Sequence, residues 1–168
     1  AVSTLPPCHY TSVFNVQGDR LNLHLTQRSG DIALGIPFNI AAYSLLLKII
    51  AQRTGFKPGM FGHAIVDAHV YCGSGDRGAW YEKNIAELQN RLRDVEDEGS
   101  FEDVREWVLL NAPDENEGEE QLDHVPGLLT QLSRTPTSRP NVSVRDVPLD
   151  ELEFDDIRLN DYESDSGI

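Results

Sequence analysis

VFNVQGDRLNLHLTQ, residues 13–27, decides how the chain begins to fold. Two β-rich runs flank the turn signal QGDR, and the second alternates Leu21, Leu23 and Leu25 with Asn22, His24 and Thr26. A period of two belongs to a strand with one buried face, and a Gly-Asp pair between such runs marks a β-hairpin. With the hairpin centred near Gly18, Cys8 and Arg28 are each ten residues away and face one another across adjacent strands, their Cα atoms roughly 5 Å apart. A one-residue slip changes the facing but not the proximity.

Outward from the hairpin, FNIAAYSLLLKIIAQ (38–52) follows Pro37 and is apolar nearly all round. It predicts a helix buried in the centre of the domain, closed by Gly55 and Pro58. Residues 61–71 read as a strand. One face carries Gly62, Ala64, Val66, Ala68 and Val70, all small or apolar; the other carries Phe61, His63, Ile65, Asp67, His69 and Tyr71. A wholly apolar face beside a long apolar helix predicts an internal strand, whose polar groups are then paired or line a cavity. We read the polar face as a site rather than a structural hydrogen-bonded cluster. Farther on, residues 80–93 and 101–110 have helical spacing, 125–132 is a short helix, and NVSVRDV (141–147) and 152–159 alternate as strands. The fold class expected is α/β in the broad (α+β) sense: a mixed sheet against a long buried helix, with a helical acidic excursion.

The 168 residues carry a formal charge of −14, which argues against nucleic acid or an anionic membrane as partner. The charge is uneven. Residues 1–71 hold three acids against five bases, a net of +2, whereas residues 72–122 hold fifteen acids against five bases, including DVEDEGSFED (94–103) and DENEGEE (114–120). Three lysines stand against eleven arginines. Acidic excess with scarce lysine is the composition expected of a protein from cells with molar internal salt; the alternative reading is an ordinary acidic surface. No apolar run approaches the roughly 20 residues that cross a bilayer, and residues 1–7 lack a signal sequence, so a soluble, cytoplasmic protein is expected. Cys8 and Cys72 offer neither a disulfide framework nor metal spacing, and no phosphate-cradling glycine loop is present.

Taken by itself a cysteine is ordinarily a small core residue. Cys8 differs because the hairpin sets it near Arg28, a fixed cation whose fork suits phosphate. A thiolate nucleophile beside a phosphate-binding arginine suggests covalent chemistry on a phosphorylated small molecule.

QRSGDIALGIPFNIA (27–41), preceded by PPCH and followed by DAHVY (67–71), closely resembles the catalytic half of the thymidylate synthase family. DHVPGLLTQLSRTP (123–136) resembles the family's NH followed by a helix and QLxREP, and FDDIRLNDYESDSGI (154–168) resembles its ending. The resemblance covers residues 5–71 and 123–168, about 113 of 168. Residues 72–122 read as an acidic helical insertion within a single domain spanning 1–168.

The resemblance implies a transferase, a methyltransferase of dTMP biosynthesis. Cys8 would add to C6 of the uracil ring of dUMP, and 5,10-methylenetetrahydrofolate would be the cosubstrate. Arg28 and Ser29 would hold the 5′-phosphate, with Gly30 beside them. Asp31 would help form the nucleotide site and bond the folate pterin. Asn39 would read O4 and N3 of the base, His69 and Tyr71 the 3′-hydroxyl, and His9 would join the network around the base. No metal is implied. Uracil offers an acceptor at O4 and a donor at N3, which one carboxamide satisfies; family relatives that hydroxymethylate dCMP carry aspartate at this position, so Asn39 favours dUMP. The family also implies a homodimer of back-to-back sheets and a preceding half that supplies further site residues. The chain is therefore expected to be an inactive fragment of a longer enzyme. Val66 and Val13 depart from the family's glycine and glutamine. A pyrimidine nucleotide hydroxymethylase and a non-catalytic nucleotide-binding fragment are the alternatives.

Overall fold

The computed structural model describes residues 7–114, 122–137 and 139–167. The chain divides into two compact units, one of Ala1–His69 with Ser138–Ser164 and one of Val70–Thr137 with Asp165–Ile168.

In the first unit, β1 (His9–Gln17) and β2 (Arg20–Asp31) form the expected hairpin, turning at Gly18 with φ +62°. Pairing runs from Gln17↔Arg20 to Thr11↔Thr26, half a residue beyond a centre at Gly18. A bulge then absorbs one residue, and His9 pairs with Gln27. The shift brings Cys8 opposite Arg28, whose backbone amide donates to the Cys8 carbonyl at 2.9 Å.

Leu21, Leu23, Leu25 and Gln27 all lie on the buried face of β2. α1 (Gly35–Arg53) lays Leu47 and Ala51 on Leu21 and Leu23, with Tyr43, Ile50, Phe56 and Phe61 around them. Truncating Leu23 or Leu47 to alanine in such a cluster costs about 2–5 kcal/mol. The helix is also the crossover that a parallel connection requires: β3 (Lys57–His69) runs parallel to β2 and completes a mixed sheet in the order β1-β2-β3.

Three sequence expectations change here. α1 is not buried all round: Ile36, Leu47 and Ala51 are buried, whereas Phe38 is 75% exposed and Ile40 and Leu46 also reach solvent. Among the described residues its second side has no covering layer. α1 is also long and apolar enough, at 19 residues and mean hydropathy 1.3, to cross a membrane, contrary to the reading of the sequence. It nevertheless packs on the sheet and commits Lys48, Gln52 and Arg53 to polar contacts. Finally, β3 begins at Lys57, ends at His69 short of Tyr71, and is an edge strand in this sheet. Its small face is the open one, with Val66 80% exposed, because α1 packs on the side bearing Phe61.

β4 (Asn141–Val144) and β5 (Ile157–Asn160) form a separate antiparallel pair. Lys48 bonds the carbonyl of Val142, Gln52 that of Val144 at 3.3 Å, and Arg53 pairs with Asp146 at 2.8 Å. The strand expected over 152–159 is shorter: residues Phe154–Asp156 form a 3₁₀ turn, held by a capping box between Glu153 and Asp156.

The second unit is helical, with α2 (Gly75–Arg93), α3 (Ser100–Asn111) and α4 (Val125–Leu132). Its core gathers Tyr81, Leu88, Val104, Val108, Ala112 and Leu129. Residues 94–99 of the first acidic run join α2 to α3 and the rest of it opens α3; Asp97 accepts the amide and hydroxyl of Ser100 at 2.9 and 2.8 Å. Residues 115–120 of the second acidic run lie outside the described residues.

Candidate active site

The C-terminal end of β2, the adjoining end of β3 and the first turns of α1 gather the candidate residues of the first unit. Cys8 is a half-buried free thiol at the start of β1. Arg28 is held twice across the hairpin, by its amide and by its Nε, which donates to the Pro7 carbonyl at 3.2 Å. The thiol and the guanidinium therefore sit on directly paired backbone.

Gln27 joins the remaining groups, and its role was not read from the sequence. It is buried at the end of the leucine face. Its Nε2 donates to the carbonyl of Ser29 at 2.8 Å and to Oδ1 of Asn39 at 3.0 Å, and its Oε1 lies 3.0 Å from Nε2 of His63. The two donations assign Oε1 as the acceptor, so His63 carries its proton on Nε2. Asn39 is thereby fixed with its oxygen toward Gln27, which presents its amino group as a donor elsewhere. Burial, with smaller effects from His9 and His24, holds the His63 imidazole below its ordinary 6.5. Unfolding therefore takes up a proton at His63. Its contribution to stability is complete above about pH 6.5 and is lost as pH falls below it. The melting temperature should fall on acidification from pH 7 to 5.5, and His63→Gln should flatten that slope.

Register places Ser29 beside Asp67 and Asp31 beside His69. The Ser29 hydroxyl donates to Oδ2 of Asp67 at 3.2 Å, and His69 Nδ1 lies 3.4 Å from the same oxygen. Asp67, one of the polar-face residues of the strand read over 61–71, thus ties Ser29 and His69 together. Asp31 uses both carboxylate oxygens to accept the amides of Ala33 and Leu34, each at 3.1 Å, and so shapes the entry to α1. His9 meets the Tyr43 hydroxyl at 3.0 Å through Nδ1.

Gly30 is required by space. A Cβ there would lie 2.4 Å from Cδ1 of Ile36 and 3.1 Å from Nε2 of Gln27. Gly30→Ala is expected to cost about 1–3 kcal/mol in thermal unfolding through overpacking, and to disturb the amide that orients Asn39.

Tyr71 belongs to the second unit rather than to β3. Its ring lies edge-on to His124, centroids 5.5 Å apart, and its carbonyl accepts the His124 amide at 3.0 Å.

The first unit therefore defines a class of site: a free thiol just before β1, its main chain paired with that of an arginine, and on the first turns of α1 a carboxamide whose oxygen is held by Gln27. Comparison with known proteins identifies the family. The chain belongs to the thymidylate synthase family, whose family model matches residues 1–168. It is 65% identical over all 168 residues to thymidylate synthase of Haloferax volcanii, covering 49% of that protein. Over 67 residues it is 60% identical to the Mycoplasma pneumoniae enzyme of the same name and 57% to that of equine herpesvirus 2, covering 23% of each. The chain thus spans about half the length of the Haloferax relative.

Proposed function

We propose that this chain is the catalytic-cysteine half of a thymidylate synthase that methylates dUMP reductively to dTMP. The observation that carries this reading is the pairing of Cys8 with Arg28 across the bulged hairpin. Arg28 and Ser29 hold the 5′-phosphate, and the Cys8 thiolate adds to C6 of the uracil ring. The electron pair of the C5–C6 bond moves to C5, which attacks the methylene carbon of 5,10-methylenetetrahydrofolate as the bond from that carbon to N10 breaks and N10 takes up a proton. C5 then loses its proton, the bond to N5 breaks to leave an exocyclic methylene and tetrahydrofolate, and hydride from the tetrahydrofolate ring reduces that methylene as the thiolate departs. Dihydrofolate and dTMP result, so the folate supplies both carbon and hydride.

Asn39 donates from its amino group to uracil O4, and the second lone pair of its Oδ1 accepts from N3–H. Gln27 supports this by holding the amide in that orientation. Asp31 reaches the folate through the remaining lone pairs of its carboxylate, and His69 and Tyr71 bind the 3′-hydroxyl. The 168 residues alone are inactive, because residues from the other half complete the site.

The open face of the sheet, with Val13, Met60, Val66, Ala64 and Ala68 exposed, suits a second copy packed back to back. The acidic charge and the likeness to a Haloferax protein fit a halophilic, cytoplasmic enzyme. Product analysis with the complete gene product, dUMP and methylenetetrahydrofolate tests the reaction. The expected product is dTMP with stoichiometric dihydrofolate. A hydroxymethylated nucleotide with tetrahydrofolate would replace this reading by the hydroxymethylase one.

A further inference from the structure

The second unit contains a built device that neither the family nor the proposed reaction assigns. Tyr71 and His124, which immediately precedes α4, are 53 positions apart, yet they are zipped together by a short antiparallel ladder. The His124 amide donates to the Tyr71 carbonyl at 3.0 Å, Cys72 bridges Asp123, and the Gly73 amide donates to the Leu122 carbonyl at 3.1 Å. The helical excursion therefore leaves and returns at one point.

That point is locked by one carboxylate. Oδ2 of Asp123 accepts Nε of Arg77 at 2.6 Å and the hydroxyl of Tyr81 at 2.8 Å, and Oδ1 accepts the Val125 amide at 3.0 Å. Arg77 continues to the Pro113 carbonyl at 2.6 Å. The two charged side chains are 8% and 3% exposed. A buried, multiply bonded pair of this kind is costly to break, because the surviving charge is left without its partner. Gly73, at φ +78°, lets the chain turn tightly over Arg77, whose side-chain carbons lie 3.1–3.2 Å from where a Cβ would be. Asp123 thus joins the first turns of α2, the exit of α3 and the start of α4, immediately before His124.

We propose that Asp123 is a positioning residue: by closing the base of the insertion through Arg77 and Tyr81, it fixes His124 and, through it, the main chain and ring of Tyr71. The inference rests on the reading of Tyr71 given under Proposed function. Tyr71 is tied to His124 through both main chain and ring, so a displacement at Asp123 passes to it directly.

The test compares binding of dUMP and of its 2′,3′-dideoxy analogue by the complete gene product, unaltered and as Asp123→Asn. The unaltered protein should favour dUMP by about tenfold, the worth of one well-made hydrogen bond to the missing hydroxyl. Asp123→Asn should remove that preference by weakening dUMP alone, with the analogue bound as before. If the variant fails to fold, Tyr81→Phe, which removes one bond to the carboxylate and keeps the ion pair, should reduce the preference about threefold. A parallel loss for both nucleotides, or no change in their ratio, would show a merely structural clamp and overturn the proposal. If the unaltered protein binds the two nucleotides alike, the sugar-contact reading of Tyr71 fails first, and the positioning role falls with it.

Discussion

Cys8→Ser in the complete gene product should lower dTMP formation on the order of 10⁴-fold or more while leaving dUMP binding within a few-fold of the unaltered protein. A hydroxyl ionises far less readily than a thiol, and loss of a covalent nucleophile typically removes most of an enzyme's rate. The backbone is insensitive to this exchange. The Arg28–Cys8 bond is a main-chain bond, the side chain is half-buried, and serine is slightly smaller. Rapid turnover by the variant would remove Cys8 from the chemistry. Loss of dUMP binding together with the rate would make it a structural residue instead. Measuring kcat and the nucleotide Kd on the same preparation separates the two.

The second large effect concerns the base. Asn39→Asp should reduce kcat/KM for dUMP by about 10²–10³-fold and raise the preference for dCMP. A site built to hydrogen-bond one pattern leaves buried groups unpaired when offered the other. Gln27 makes this substitution clean, because its Nε2 donates to Oδ1 of Asn39 and a carboxylate oxygen accepts that bond equally well. Only the outward group changes from donor to acceptor, which is what the amino group at C4 of cytosine requires. Unchanged selectivity between dUMP and dCMP would mean that Asn39 does not read the base.

How far these residues were legible follows from what a period can carry. The alternation of Leu21, Leu23 and Leu25 predicts both the hairpin and its buried face, because three equivalent positions agree. The bulge beside Tyr10 leaves no mark on that pattern, yet it corrects the register by one residue and returns Cys8 to Arg28. In β3 the alternation separates two faces correctly but does not say which one is covered. Small residues suit an interior face, whereas α1 settles on the larger Phe61 side and leaves Val66 open. For α1 itself, composition gives the helix but not its partners, and among the described residues one side of it has no covering layer.

Within the candidate site, Arg28, Ser29, Gly30 and Asp31 are contiguous in the sequence and close β2 together, so their proximity is legible without the fold. Gln27 was not singled out, since a glutamine closing a leucine face reads as the polar end of a strand. Its importance depends on His63 and Asn39, 36 and 12 positions away. The same limit hid the lock at Asp123. Arg77 and Tyr81 are 46 and 42 residues distant, and nothing local in the acidic stretch distinguishes the buried pair from the solvated charges around it.

The central claim is a covalent bond between Cys8 and C6 of the uracil ring, and intact-mass spectrometry of a stalled adduct tests it most directly. With 5-fluoro-dUMP and methylenetetrahydrofolate, C5 carries fluorine, which does not leave as a cation, so the reaction should stop after the folate carbon is attached. The account predicts one nucleotide and one folate bound covalently per chain, mapped by peptide analysis to Cys8 and absent in Cys8→Ser. An adduct on Cys72, or none under conditions in which the protein turns over dUMP, would contradict it.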